Sequence, residues 1–153
     1  MSGEWTRNQV EITAFPHRYE IQARFSDLDP NHHVNNIAIA EMFSEGRSAF
    51  IRHMFSRIER PLGFHFVVGQ VAVRYLNEAR WPNMFTIGTG VLDIGAKSMR
   101  LGQAFFMEGA CHVIAEAVLV AVQNSATVLL NDAVRAHLEE SRLGRQLLPR
   151  QLM

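Results

Sequence analysis

One segment limits what this chain can fold into. From Ile37 to about Phe55 apolar residues recur at helical spacing, with Ile39, Phe43, Gly46, Phe50 and Met54 separated by steps of four, three, four and four. Ile37, Ala40, Ile51 and Phe55 widen that stripe until only a narrow polar line remains: Glu41, Glu45, Ser48 and Arg52. A helix this apolar is expected to be buried on more than one side. Gly46 in mid-helix costs about 1 kcal/mol against alanine, which points to a close approach of a neighbouring element. Asn35 or Asn36 is expected to cap the first turn.

Most of the remaining chain has strand character. Tyr19–Phe25 alternates, with Tyr19, Ile21, Ala23 and Phe25 on one face of a half-buried strand. Ser26 to Asn36 is polar, contains Pro30 and reads as loop. After a polar connector from Ser56 to Gly63, strands are expected at His65–Leu76, Phe85–Ile94, Ser98–Met107 and Ala110–Gln123. Breaks fall at Arg80–Asn83, Gly95–Lys97 and the tight Glu108-Gly109 turn. Ala115-Glu-Ala117 favours helix, but the Val118–Val122 run and the partner across the 108–109 turn favour strand. Asn131–Arg142 has the pattern of a short helix, and an arginine-rich tail follows from Leu143.

The connections are too short for parallel crossovers. The order therefore predicts an α+β fold: one strand, one long helix, then a four-stranded antiparallel meander. A helix of about 18 residues spans roughly 27 Å, enough to lie across such a sheet. A sheet of five to six strands wrapped around one central helix is the expected architecture. One domain covers 1–153, with its core over about 17–124 and a C-terminal extension over 125–153.

Composition excludes several functions. The formal net charge is +0, which argues against nucleic-acid binding and against a polybasic membrane surface. Cys111 is the only cysteine, so an internal disulfide and a Cys-rich zinc site are both ruled out. No basic start followed by an apolar core is visible, and no uncharged apolar run reaches the roughly 18 residues of a membrane helix. A cytoplasmic location is expected. Lys97 is the only lysine, and the arginine excess is attributed to codon bias.

The densest polar segment is Asp27-Leu-Asp29-Pro-Asn31-His32-His33-Val-Asn35-Asn36, just before the long helix. A helix N-terminus presents unpaired N–H groups and partial positive charge, and can bind an oxygen that gains negative charge in a reaction. The segment adds carboxylates, imidazoles and amides. These are the parts for acyl-transfer hydrolysis: a base or nucleophile, a proton handler and an oxyanion site. Turn and capping roles account for many such residues taken singly. No third ligand at helical or hairpin spacing completes a metal site, so none is expected.

Phe25-Ser-Asp-Leu-Asp29, His33-Val-Asn-Asn36 and Glu45-Gly-Arg47 together resemble the hotdog-fold thioesterases, the group of 4-hydroxybenzoyl-CoA, acyl-CoA and acyl-ACP thioesterases. The Asp27–Asn36 stretch is most similar to the plant fatty-acyl-ACP enzymes. The resemblance spans about residues 17–124. It implies that Asp29 is the catalytic carboxylate, acting as nucleophile on the thioester or as base for a water. Asn31 and His33 fall on positions that orient the carboxylate, water or carbonyl. The helix start at Asn35 and Asn36 would polarise the carbonyl. Lys97 and Ser98 fall on a turn that grips coenzyme A phosphates in several members, although Gly95 and Ala96 stand where some relatives have arginine. Gln70 would line the pocket or face a partner subunit.

The resemblance further implies acyl-CoA or acyl-ACP as substrate, no separate cofactor, and a homodimer or a tetramer of dimers. Two departures stand out: His32 where most bacterial relatives have glycine, and Ile39 where an aromatic residue is usual. Glu45 and Arg47 read as structural or interface residues, His65 and His112 as core or edge histidines, and His53 as solvent-facing. The competing expectation is a non-catalytic acyl-CoA-binding or interaction module on the same fold. A dehydratase is a third, disfavoured because its carboxylate would come from the buried helix.

Overall fold

The computed structural model describes residues 10–144. Strand β1 (His17–Gln22) precedes the long helix α1 (Asn36–Arg57), and strands β2 (Phe64–Tyr75), β3 (Met84–Ile94), β4 (Ser98–Met107) and β5 (Ala110–Gln123) follow. A two-residue strand β6 (Ala126–Thr127) and helix α2 (Asp132–Glu140) complete the described chain. The arginine-rich tail falls largely beyond Gly144, outside the described residues. No helix among the described residues is long and apolar enough to cross a membrane.

The sheet is antiparallel, in the order β1-β3-β4-β5-β2, with β6 beside β5. This corrects the expected meander. Of the four expected meander strands, β3, β4 and β5 follow one another as hairpins, while β2 pairs with β5 rather than with β3. The connection from β2 to β3 runs over residues 76–83, longer than a hairpin loop, and carries β3 to the far side of the sheet. The β4–β5 turn is tight, with Glu108 at φ 52° and Gly109 at φ 79°, the left-handed pair such hairpins need.

Helix α1 lies across one face of the sheet. Ile39, Met42, Phe43, Phe50 and Met54 are buried, and Gly46 admits β3: a Cβ there would come 2.5 Å from Ile87 Cγ2. The expected two-sided burial gives way to burial of one broad side. Ile37 is 70% exposed, and the line Glu41, Glu45, Ser48 and Arg52 faces solvent. Arg47 enters the core instead. Its Nη1 donates to Gln103 Oε1 at 3.0 Å, while Gln103 Nε2 donates to Phe43 O and Thr89 Oγ1, each at 3.1 Å. That network anchors the middle of α1 to β3 and β4. Its guanidinium has a neutral partner in Gln103 and no ion pair among the described residues, and burial pushes the Arg47 pKa down.

Phe25 also departs from expectation. The strand ends at Gln22, and Phe25–Asp27 forms a 3-10 turn that leaves Phe25 72% exposed. The cause is Asp27, whose carboxylate accepts the Arg24 backbone N–H at 2.8 Å and its guanidinium Nη2 at 2.9 Å. That local closure winds the chain before the alternation can continue.

Candidate active site

The turn after β1 settles which aspartate faces a cavity. Asp27 is buried and committed to Arg24, whose guanidinium holds its carboxyl below the usual range. Asp29 forms an Asx turn. Its Oδ1 accepts the backbone N–H of Asn31 at 2.8 Å and of His33 at 3.0 Å. Its own N–H donates to His33 O at 2.8 Å. Oδ2 has no hydrogen bond among the described residues. His32 sits at φ 60°, in the left-handed region that favours glycine.

The chain then enters α1. Asn35 is the N-cap, its Oδ1 accepting the Ala38 N–H at 2.8 Å. Among the described residues no backbone carbonyl pairs with the amides of Asn36 and Ile37, the first two of the helix. Tyr75, at the end of β2, donates its hydroxyl to Asn36 O at 3.1 Å and fixes this tip against the sheet. Burial pushes the Tyr75 phenol up, so it stays a donor at neutral pH.

Asp29, His33, Asn35, Asn36, Tyr75 and Glu78 line one cavity of about 540 Å³, floored by Val34, Ile39 and Ala79. Glu78 Oε2 stands 3.1 Å from His33 Nε2. The sequence reading did not single out Glu78 or Tyr75. Glu78 reaches His33 because Val34 N–H donates to Ala79 O at 2.9 Å and His33 bridges Arg80, docking the 76–83 connection beside the Asp29 loop. His112 is buried in β5, and its Nδ1 lies 2.6 Å from Glu78 O, bracing the same connection.

Other expected site residues lie elsewhere in the single chain. Asn31 contributes its backbone amide, and its side chain is not part of the cavity lining. Gln70 is five residues from Tyr75 on β2, so it projects from the opposite face of the sheet. Lys97 and Ser98 do occupy the β3–β4 turn, but Ser98 sits opposite Val120 and Tyr75 opposite Val113. Seven residues of β5 separate those levels, about 23 Å along the strand.

An antiparallel sheet that cradles one long helix defines the hotdog class of fold, and here a carboxylate and an imidazole gather at the amide-bearing tip of that helix. The sequence profile of the thioesterase-like superfamily matches residues 23–138. The chain belongs to that superfamily, the thioester-hydrolase class that its motif implies. No functionally curated protein matches it.

Solved structures show the same fold. A Pseudomonas aeruginosa PAO1 protein is 21% identical, with 90% of this chain and 96% of that one aligned at a TM-score of 0.76. A Thermus thermophilus thioesterase complexed with coenzyme A and zinc is 24% identical over 83% of this chain and 94% of its own, at 0.73. A Bacillus stearothermophilus protein named a predicted thioesterase is 22% identical over 82% and 95%, also at 0.73.

Proposed function

We propose that this chain hydrolyses acyl-CoA or acyl-ACP thioesters at the Asp29 cavity. One observation carries the reading: Asp29 and Asn36, the first residue of α1, line one cavity, which supports a nucleophile or base and a helix-tip oxyanion site acting on one substrate carbonyl. In the base route, Asp29 takes a proton from water and the water oxygen attacks the thioester carbonyl. Negative charge on the carbonyl oxygen is met by the Asn36 and Ile37 amides. The carbon–sulfur bond then breaks, the thiolate takes up a proton, and the acid leaves. In the nucleophilic route, Asp29 itself attacks the carbonyl carbon, the carbon–sulfur bond breaks, the thiolate leaves and takes up a proton, and water hydrolyses the resulting anhydride to the acid and free Asp29. His33 and Glu78, with Nε2 and Oε2 3.1 Å apart, form the adjoining pair that orients water and handles the proton.

Coenzyme A bound to the Thermus relative supports a CoA ester as substrate. The direct test is a panel of short, long, branched and aromatic acyl-CoA esters with free-thiol detection. Turnover is expected. Thermal stabilisation by those esters without thiol release would identify a binding module instead.

A second copy is part of the proposal. β2 is an open edge of 12 residues, with Val67, Val68, Val71 and Tyr75 each at least 40% exposed. Antiparallel pairing of two such edges about a two-fold near mid-strand would set the partner's β4 about three strand spacings, roughly 15 Å, from Tyr75. The partner's Lys97–Ser98 turn then flanks the cavity. Light scattering is expected to give a multiple of 17.3 kDa, and Val71→Asp to shift it towards the monomer. A wild-type monomer would remove this part of the proposal.

A further inference from the structure

Three histidines from three elements meet far from the cavity. His17 opens β1, His53 lies on α1 about 25 Å from its N-terminus, and His137 lies in the last turn of α2. Ring centroids are 5.6 Å apart for His17 and His53 and 6.1 Å for His53 and His137. Phe50 packs against both outer rings, at 5.8 Å and 6.3 Å. His17 Nδ1 and His137 Nε2 are buried and have no hydrogen-bond partner among the described residues. No group of three or more His, Cys, Asp or Glu among the described residues is arranged to hold a metal ion.

These rings sit where the C-terminal segment is fastened. β1 covers the outer edge of β3 only from Met84 to Thr89. Beyond it, Val91 N–H donates to Ser141 O at 2.8 Å, and Leu143 N–H donates to Val91 O at 3.0 Å. Leu143 lies over two glycines: a Cβ on Gly90 or Gly102 would come 2.6 Å from its side chain. Val134 and Leu138 add to the core.

We propose that His17, His53 and His137 form an acid-sensitive catch that holds residues 131–143 against β3 and releases them when the rings gain protons. Neutral rings pack against one another, but protonated rings at this spacing repel. The charged groups facing them make this worse: Arg52 from α1 acts on His17, and Arg57 from α1 acts on His137. Among the described residues Glu140 on α2 is the one opposing charge that acts on His137, and the β3 residues paired with this region, Thr89 opposite His17 and Val91 opposite Arg142, carry no charge. Burial pushes both outer histidines below the ordinary 6.5, with His53 adding to the shift. The unfolded or detached segment therefore binds protons more readily than the docked one. Docking is at full strength above about pH 6.5 and is lost as pH falls through the lowered values. Release would uncover the β3 edge from Gly90 onward.

Hydrogen–deuterium exchange on the whole protein at pH 8.0 and 5.0, corrected for intrinsic rates, tests this. Amides of 132–143 and Val91 should lose at least tenfold protection at pH 5.0, while β4 and β5 keep theirs. In the His17→Gln/His137→Gln double variant the acid loss should fall below twofold. The exposed His53→Asn variant keeps the test valid if the double variant fails to fold, and should lessen the acid loss at least threefold. Unchanged protection in the wild type, an equal loss across β4 and β5, or a full acid loss in these variants would overturn the proposal.

Discussion

Asp29→Asn is expected to lower kcat/KM for acyl-CoA hydrolysis by about 10²–10⁴-fold with the fold intact. Asparagine matches aspartate in shape, and its side-chain oxygen can still accept the Asn31 and His33 amides that Oδ1 accepts at 2.8 and 3.0 Å. The loop therefore keeps its turn and loses only the charge and the basic oxygen. Asp27→Asn is the informative contrast. That side chain binds Arg24 and is absent from the cavity lining, so its loss should lower stability more than turnover. Glu78→Gln should cost less than Asp29→Asn, because it acts through His33. Thiol-release kinetics beside a thermal melt separate these outcomes. An Asp29→Asn enzyme with wild-type turnover would end the assignment. Single turnover in ¹⁸O-water then distinguishes the two routes, since only the nucleophilic one places label in Asp29.

The largest expected loss of stability is at Phe43→Ala, about 3–5 kcal/mol. Phe43 is fully buried beneath α1, its ring 6.3 Å from that of Phe105, which stacks at 4.6 Å on Phe85. Truncation removes the contact and leaves a cavity among rings that β-strand backbones hold in place. The Phe43 carbonyl still accepts from Gln103, so the helix keeps its polar anchor and cannot easily slide to fill the gap. With domains stable by only about 5–15 kcal/mol, this change takes a large share. Urea unfolding measures it. A loss under about 1 kcal/mol would mean that the helix does not press on the sheet as described.

Elements with one strong periodic signal were legible in the sequence. α1, expected from Ile37 to about Phe55, runs from Asn36 to Arg57, and β4 and β5 have the bounds their pattern predicts. The ambiguous Ala115-Glu-Ala117 stretch is strand, because pairing across the 108–109 turn outweighs local helix preference. The partner of β2 was not legible. Alternation says which side chains face inward, but it does not say which strand lies alongside. Connection length held the missing clue, since residues 76–83 exceed a tight turn.

The candidate site divides in the same way. Asp29, His33, Asn35 and Asn36 lie within eight residues, so the order of the chain alone delivers them to one helix tip. Tyr75 and Glu78 arrive from some forty residues away, brought there by the Tyr75–Asn36 and Val34–Ala79 hydrogen bonds and the bridge of His33 to Arg80. The resemblance already pointed to Asp29; the Arg24 contact, which a list of residues does not contain, adds the physical reason that Asp27 is held out of the cavity. Local sequence determined the helix, its cap, the tight turns and the loop chemistry, because each depends on interactions a few residues apart. Tertiary structure alone decided strand neighbours, the Glu78–His33 pair and the histidine cluster. Those contacts join distant segments, and their energies appear only once the sheet has closed around the helix.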